Sequence, residues 1–205
     1  GDLSSLWRLQ DMEPIHHLTW DWWWWLVMLD DPDGNPAGRQ LMVLWSTKDN
    51  PLVEVNGHPW EPVGRPGFDD EGGIAMDGMV AAWWYDGKKL IEPLVLEESR
   101  IIVIAEDHSS WPHPKGGVVA THSEREYSMG LNPEESKFWL RLETEHGDFD
   151  LEMTPRNNAM SSMKVAQAEY GMGMGYGISR LHGALCKGMI AGEQCEGTAY
   201  FQKVC

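Results

Sequence analysis

The sequence predicts an all-β fold, an antiparallel barrel or sandwich with little helix and an interior suited to an apolar ligand. Three observations carry that expectation. Stretches of period-two alternation recur, as in Phe138-Trp139-Leu140-Arg141-Leu142 and Phe149-Asp150-Leu151-Glu152-Met153. Dense turn signals separate them, such as His146-Gly147-Asp148 and Asp86-Gly87. Residues of the types AVILMFWYC make up 42% of the 205-residue chain, enough to bury a substantial core.

Residues 1–19 read as an irregular lead-in, because Met12-Glu13-Pro14 interrupts any helix. Trp20 to Leu29 is rich in aromatic and β-branched residues and reads as a strand. Asp30-Asp31-Pro32-Asp33-Gly34-Asn35-Pro36-Ala37-Gly38 turns the chain, and Leu41 to Trp45 returns. Residues 49–75, rich in Pro, Gly and acidic side chains, read as a long loop with short strands; a lid is one role for it. Met79 to Tyr85, the Asp86-Gly87 turn and Lys88 to Leu96 form a hairpin, with a further strand from Arg100 to Glu106 and a loop over 107–117. In the alternating pair, Phe138, Leu140, Leu142, Phe149, Leu151 and Met153 fall on one face, which marks it as the buried one. Pro133 to Lys137 is compatible with one short turn and 159–168 is a helical candidate. The run from Gly171 to Ile178 alternates glycine with Met172, Met174, Tyr176 and Ile178, a strand stripped of side chains on one face. A phosphate-cradling loop is the sharper alternative, but G-x-G-x-x-G is not met and no helix follows. Arg180 to Ile190 and Glu196 to Val204 read as two closing strands, and the whole is expected to form a single domain over 1–205.

Charge removes several function classes. With 32 acidic against 16 basic residues, the formal charge is −16, which repels nucleic-acid phosphates and anionic lipid surfaces. The longest apolar run, Trp22 to Leu29, is too short to span a bilayer. The first residues lack the basic and apolar regions of a signal peptide, so a cytoplasmic location is expected. Cys186, Cys195 and Cys205 contain no C-x-x-C pair and fit a reducing compartment, with a Cys186–Cys195 bridge as the alternative. Twelve Trp residues exceed what such a core needs, so some should line a cavity, a lid or an interface.

Segments at both ends of the sequence, with the hairpin over 79–96, resemble a known family. Trp20-Asp21-Trp22-Trp23-Trp24-Trp25, a Gly-containing turn, then Gly38-Arg39-Gln40-Leu41-Met42-Val43-Leu44 is similar to the opening of the tandem-lipocalin proteins. These comprise AttH-like proteins, carotenoid 1,2-hydratases (hydroxyneurosporene synthases) and lipocalin-like Diels–Alderases. Gly175-Tyr176-Gly177-Ile178-Ser179-Arg180-Leu181-His182-Gly183 and Gly192-Glu193-Gln194-Cys195-Glu196-Gly197-Thr198-Ala199-Tyr200 resemble its closing strands. The chain departs where the family continues into an acidic-His-x-Trp-Gly type motif; here it reads Gln202-Lys203-Val204-Cys205. The resemblance implies a lipocalin-like (calycin) barrel corresponding to the first domain only. It also implies an isoprenoid, carotenoid or lipid-like ligand, no cofactor, and a hydratase, isomerase or cyclase as the catalytic version. A carrier, or an interaction module docking a second domain or subunit through its Trp-rich surface, is the alternative.

The candidate site follows from parity. Asp21, Trp23 and Trp25 share one strand face. An acid among aromatic rings would have its pKa raised and could protonate an alkene, with the rings stabilising a cation. The plainer role for Asp21 is a rim residue capping a turn or pairing with an arginine. Trp83 on the second hairpin, and Tyr176, Arg180, His182 and Tyr200 on the closing strands, complete the candidate ligand-binding set; an exposed polar face is the alternative for the closing-strand residues. Scattered histidines (His16, His17, His58, His108, His113, His122) show no ligand spacing, and Asp31-x-Asp33-x-Asn35 lacks the Glu of a calcium loop, so no metal is expected. No G-x-S-x-G supports a covalent hydrolase.

Overall fold

In the computed structural model, described over residues 20–48, 53–55, 58–60, 67–68, 74–104, 117–120, 124–132, 134–156, 160–164 and 177–204, the chain is a closed antiparallel barrel. Its strands are β1 (Trp20–Leu29), β2 (Arg39–Lys48), β3 (Val53–Val55), β4 (His58–Trp60), β5 (Gly67–Phe68), β6 (Ile74–Tyr85) and β7 (Leu90–Ile104). They continue as β8 (Gly117–Ala120), β9 (Tyr127–Asn132), β10 (Lys137–Leu142), β11 (Phe149–Pro155), β12 (Met160–Lys164), β13 (Gly177–Ile190) and β14 (Glu193–Val204). Ten of them form the ring β1-β2-β6-β7-β8-β9-β10-β11-β13-β14, closed by β14 on β1. Neighbours in the ring are neighbours in the chain, apart from the small β3–β4 hairpin, β5 on the edge of β6, and β12, which continues along β13 beyond β11. Closure removes the exposed sheet edges that an open sandwich would carry, so of the two expected architectures the barrel is the one formed. Among the described residues there is no helix, and hence none long and apolar enough to cross a membrane.

Alternation builds the wall. Trp23, Trp25, Val27 and Leu29 of β1 are fully buried, while Trp22, Trp24, Leu26 and Met28 between them are partly exposed. Tight turns at one pole set the register. Asp31 accepts from the backbone N–H groups of Asp33 (3.0 Å) and Asn35 (2.8 Å), and Arg39 donates to the Asp30 carbonyl (2.9 and 2.6 Å). The Asp86 carboxylate accepts from the N–H groups of Lys88 and Lys89, both at 2.7 Å. The β13–β14 turn uses Ala191 and Gly192, both at positive φ (50° and 82°), the geometry of a type I′ hairpin. Gly197 lets β14 approach β1 closely, since a Cβ there would run into the backbone of Met28 and Leu29. These turns define a turn pole. The strand ends opposite, which residues 49–73, 105–116 and 165–176 connect in the chain, define the far pole.

Several expectations change. The two strands read over 88–96 and 100–106 are one, β7. The helical candidate 159–168 is not helical where described: Met160–Lys164 is a strand, held by pairing along β13 that overrides a weak local preference. Strands β8 and β9 were not anticipated; β9 (Tyr-Ser-Met-Gly-Leu-Asn) is buried on both faces and so shows no alternation. The expected buried face of β10 and β11 is buried throughout. Residues 1–19, most of the Gly-Met run and much of 49–75 lie outside the described residues, although β3, β4 and β5 are short strands within the last of these.

Candidate functional site

The barrel interior has two halves of different chemistry. Toward the turn pole it is solid. Trp25 packs on Phe201 (4.7 Å between centroids) and edge-on to Phe138 (5.4 Å), and its indole N–H points at the Met129 sulfur (3.4 Å). Trp84 stands edge-on to Phe149 at 5.2 Å. These contacts run from β1 to β9, β10 and β14 and from β6 to β11, so side chains bridge the barrel and leave Trp25 as core filling.

Toward the far pole the inner face turns polar. Following the cross-strand pairings from β14 to β7, one inward row reads Lys203, Trp23, Trp45, Val80, Glu97. The next row outward reads Asp21, Thr47, Gly78, Ser99 by backbone register. Lys203 is 1% exposed, and its ammonium sits 4.3 Å from the Trp23 ring centroid, a desolvated cation–π contact. On the wall four strand steps away, Glu97 accepts from the Tyr127 hydroxyl at 2.7 Å, while the Tyr127 carbonyl accepts from the Trp45 indole N–H at 3.2 Å. Thr47 (0% exposed) and Ser99 (2%) carry buried hydroxyls without a hydrogen-bond partner. The two flank Gly78 in one row, and leaving such a hydroxyl unsatisfied costs roughly 1–3 kcal/mol.

The expected site residues divide accordingly. Trp23 and Trp25 point inward, but only Trp23 borders the polar rows. Trp83 lies on the outer face between buried Ala82 and Trp84, so Trp84 is the inward residue of that pair. Arg180 alternates with buried Leu181, and Tyr200 with buried Ala199 and Phe201, so both also face outward. There Tyr200 meets Trp24 edge-on (5.5 Å) and donates to Gln202 (3.1 Å). The physical reason is register. A bulge between Leu181 and Ala184 shifts the inward parity from Leu181 to Ala184 and Cys186, and the sequence does not mark it. Asp21 is placed by its backbone pairing with Thr47; its side chain, that of His182 and all of Tyr176 lie outside the described residues. Lys203, Thr47, Ser99, Glu97 and Tyr127 were missed. A signal existed for two of them: Lys203 follows Phe201, and Thr47 follows Trp45, by one strand repeat.

A groove of about 820 Å³ lies at the turn pole between Asp30, Arg39, Glu152, Lys187 and Glu196. Within it Glu152 is paired, standing 3.5 Å from Lys187 and 3.3 Å from Lys137. Among the described residues no group of three or more His, Cys, Asp or Glu could hold a metal ion. Cys186 and Cys195 are free, buried thiols; burial pushes Cys186 up to about 12 and Cys195 upward, so neither is a nucleophile at neutral pH.

No protein-family model and no curated protein matches the chain. Among solved structures it is similar to a protein of Nitrosomonas europaea, provisionally named AttH and determined at 2.00 Å, with 12% identity and a TM-score of 0.47. That likeness covers 96% of this chain and 55% of the other, so the chain spans about half the length of that structure.

Proposed function

We propose that this barrel binds a small, largely apolar molecule at the far pole, above the aromatic floor, with a polar group turned toward the inner rows. The observation that carries this reading is the pair of fully buried hydroxyls, Thr47 and Ser99, with no protein partner on an inward face that also holds Lys203. Trp23 and Trp45 supply flat apolar surface beside them. An isoprenoid or lipid-like body suits such a wall. The catalytic version assigns Asp21, in the row of Thr47, as the acid that protonates an alkene, with Trp23 beside the developing cation; turnover undiminished in Asp21→Asn removes Asp21 as the acid, and absence of turnover by the unaltered protein leaves a carrier.

Organic extraction and native mass spectrometry of the purified protein test occupancy directly. The double variant Thr47→Val/Ser99→Ala tests the site. Replacing unsatisfied hydroxyls by apolar groups of similar shape should raise the stability of the ligand-free protein by about 1–3 kcal/mol while weakening ligand binding. A variant that loses stability and binds an extracted lipid unchanged overturns the assignment. The outer Trp22, Trp24 and Tyr200 are the surface through which a second domain or subunit would dock; a dimer or complex lost in Trp24→Glu is the corresponding test.

A further inference from the structure

We infer that Cys186 and Cys195 form a two-coordinate site for a soft monovalent metal ion, Cu(I), reached from the groove at the turn pole. The site lies at the opposite end of the barrel from the proposed ligand and does not depend on it. Register sets it up. Cys186 pairs with Gly197 and Gly188 with Cys195, so these residues form the corners of one square on the β13–β14 hairpin. The thiols stand on one diagonal; the other carries glycines, which place no side chain between them. Both cysteines point inward, at 2% and 8% exposure, alternating with exposed Leu185, Lys187, Gln194 and Glu196. Both are free thiols. Burial and then the neighbouring Cys195 push the Cys186 thiol up, and the second influence requires proximity.

Magnitudes decide between a disulfide and a metal bridge. Diagonal neighbours on antiparallel strands lie about 7–8 Å apart at Cα, whereas a disulfide closes over about 4.4–6.8 Å. A sulfur–metal–sulfur bridge replaces one bond of about 2.0 Å by two of about 2.3 Å each, the zinc–thiolate length, and spans the diagonal with the strands in place. Zinc itself wants four ligands, and among the described residues no group of three or more His, Cys, Asp or Glu supplies them. Paired thiolates suit Cu(I), which is soft and satisfied by two. Binding releases both thiol protons and leaves a bis-thiolate with one net negative charge. Arg39 neutralises it, since its charge already offsets part of the burial that pushes Cys195 up. Access comes through the groove, which Cys195 lines, and whose six carboxylates outnumber Arg39 and Lys187 and concentrate cations there.

The test is an anaerobic titration of the reduced, intact chain with Cu(I) held by the chromophoric chelator bicinchoninate. The protein should withdraw one equivalent, and X-ray absorption of the loaded protein should show two sulfur neighbours and no nitrogen or oxygen. Cys186→Ser and Cys195→Ser should each weaken uptake by more than about 100-fold, beyond the cost of losing a group that only orients a ligand, while Cys205→Ser stays within about threefold. A chelator that keeps its copper against the unaltered protein overturns the site, and that measurement needs no variant to fold. Copper held by nitrogen or oxygen, or uptake lost in Cys205→Ser, overturns the assignment to this pair. So does uptake that survives Cys195→Ser with the β-sheet circular dichroism intact.

Discussion

Truncating Trp25 to alanine decides whether the middle of the barrel is core or cavity. The indole is fully buried, with Phe201, Phe138 and Met129 around it at 4.7, 5.4 and 3.4 Å. A Trp side chain buries about 150–250 Å². At about 25 cal/mol per Å² that corresponds to roughly 4–6 kcal/mol of transfer free energy, from which the alanine recovers a part. Measured Trp→Ala changes in cores cluster at about 3–5 kcal/mol, the expectation here. For a chain of this length that is a fall in Tm of roughly 6–20 °C. Urea denaturation followed by circular dichroism and by fluorescence supplies the free energy, and coincident transitions justify two-state treatment. Trp25→Phe keeps the ring packing and gives up only bulk and the N–H contact to sulfur, so it should cost less than half as much. A loss under about 1.5 kcal/mol for Trp25→Ala would refute the reasoning, because it would mean that the indole faces empty or solvent-filled space.

Two other expectations follow from local geometry. Gly197→Ala places a methyl against the backbone of Met28 and Leu29, so the β1–β14 seam must part; a loss of about 1–3 kcal/mol in denaturant titration is expected, and a neutral result contradicts the register. Cys186 keeps its proton in the fold up to about pH 12, whereas the unfolded thiol releases its proton near 9. The folded pKa is raised, so over that window the native state holds more protons than the unfolded one and stability falls as pH rises. At pH 8 iodoacetamide should leave Cys186 unmodified until urea is added, read by peptide mass spectrometry; rapid native labelling contradicts its burial.

The strands that one face buries were legible, and those that two faces bury were not. β1 matches its expected bounds, and the β10–β11 pair shows its inward set in the spacing of Phe138 through Met153, because one wet face forces alternation. On β9, Ser128 is 1% exposed and Gly130 is buried on the outer side, with Trp139 paired across from that glycine, so no polar face marks the strand. The site suffered from a different loss of information. Parity orders residues along one strand, but a bulge resets it. The shift between Leu181 and Ala184 on β13 separates Arg180 from the interior that a uniform alternation would give it. The same alternation, carried back along β14 from Phe201, does place Lys203 inward. What hid it was residue type, since a lysine near the end of a chain ordinarily reads as solvated.

The buried hydroxyls of Thr47 and Ser99 are the strongest reason to regard the far pole as more than a loosely packed end, since valine and alanine would fill their positions without an unsatisfied oxygen. Toward the turn pole the same strands carry the residues stability favours, Val27, Leu29, Leu41 and Val43, all fully buried. The polarity is therefore not a property of these strands in general; it begins one row beyond Trp25. In a barrel pinned wall to wall by Trp25, Phe138 and Phe201, no ligand passes that layer. Cation, hydroxyls and carboxylate sit on the far-pole side of that layer, where the cost of burying them can be offset by binding.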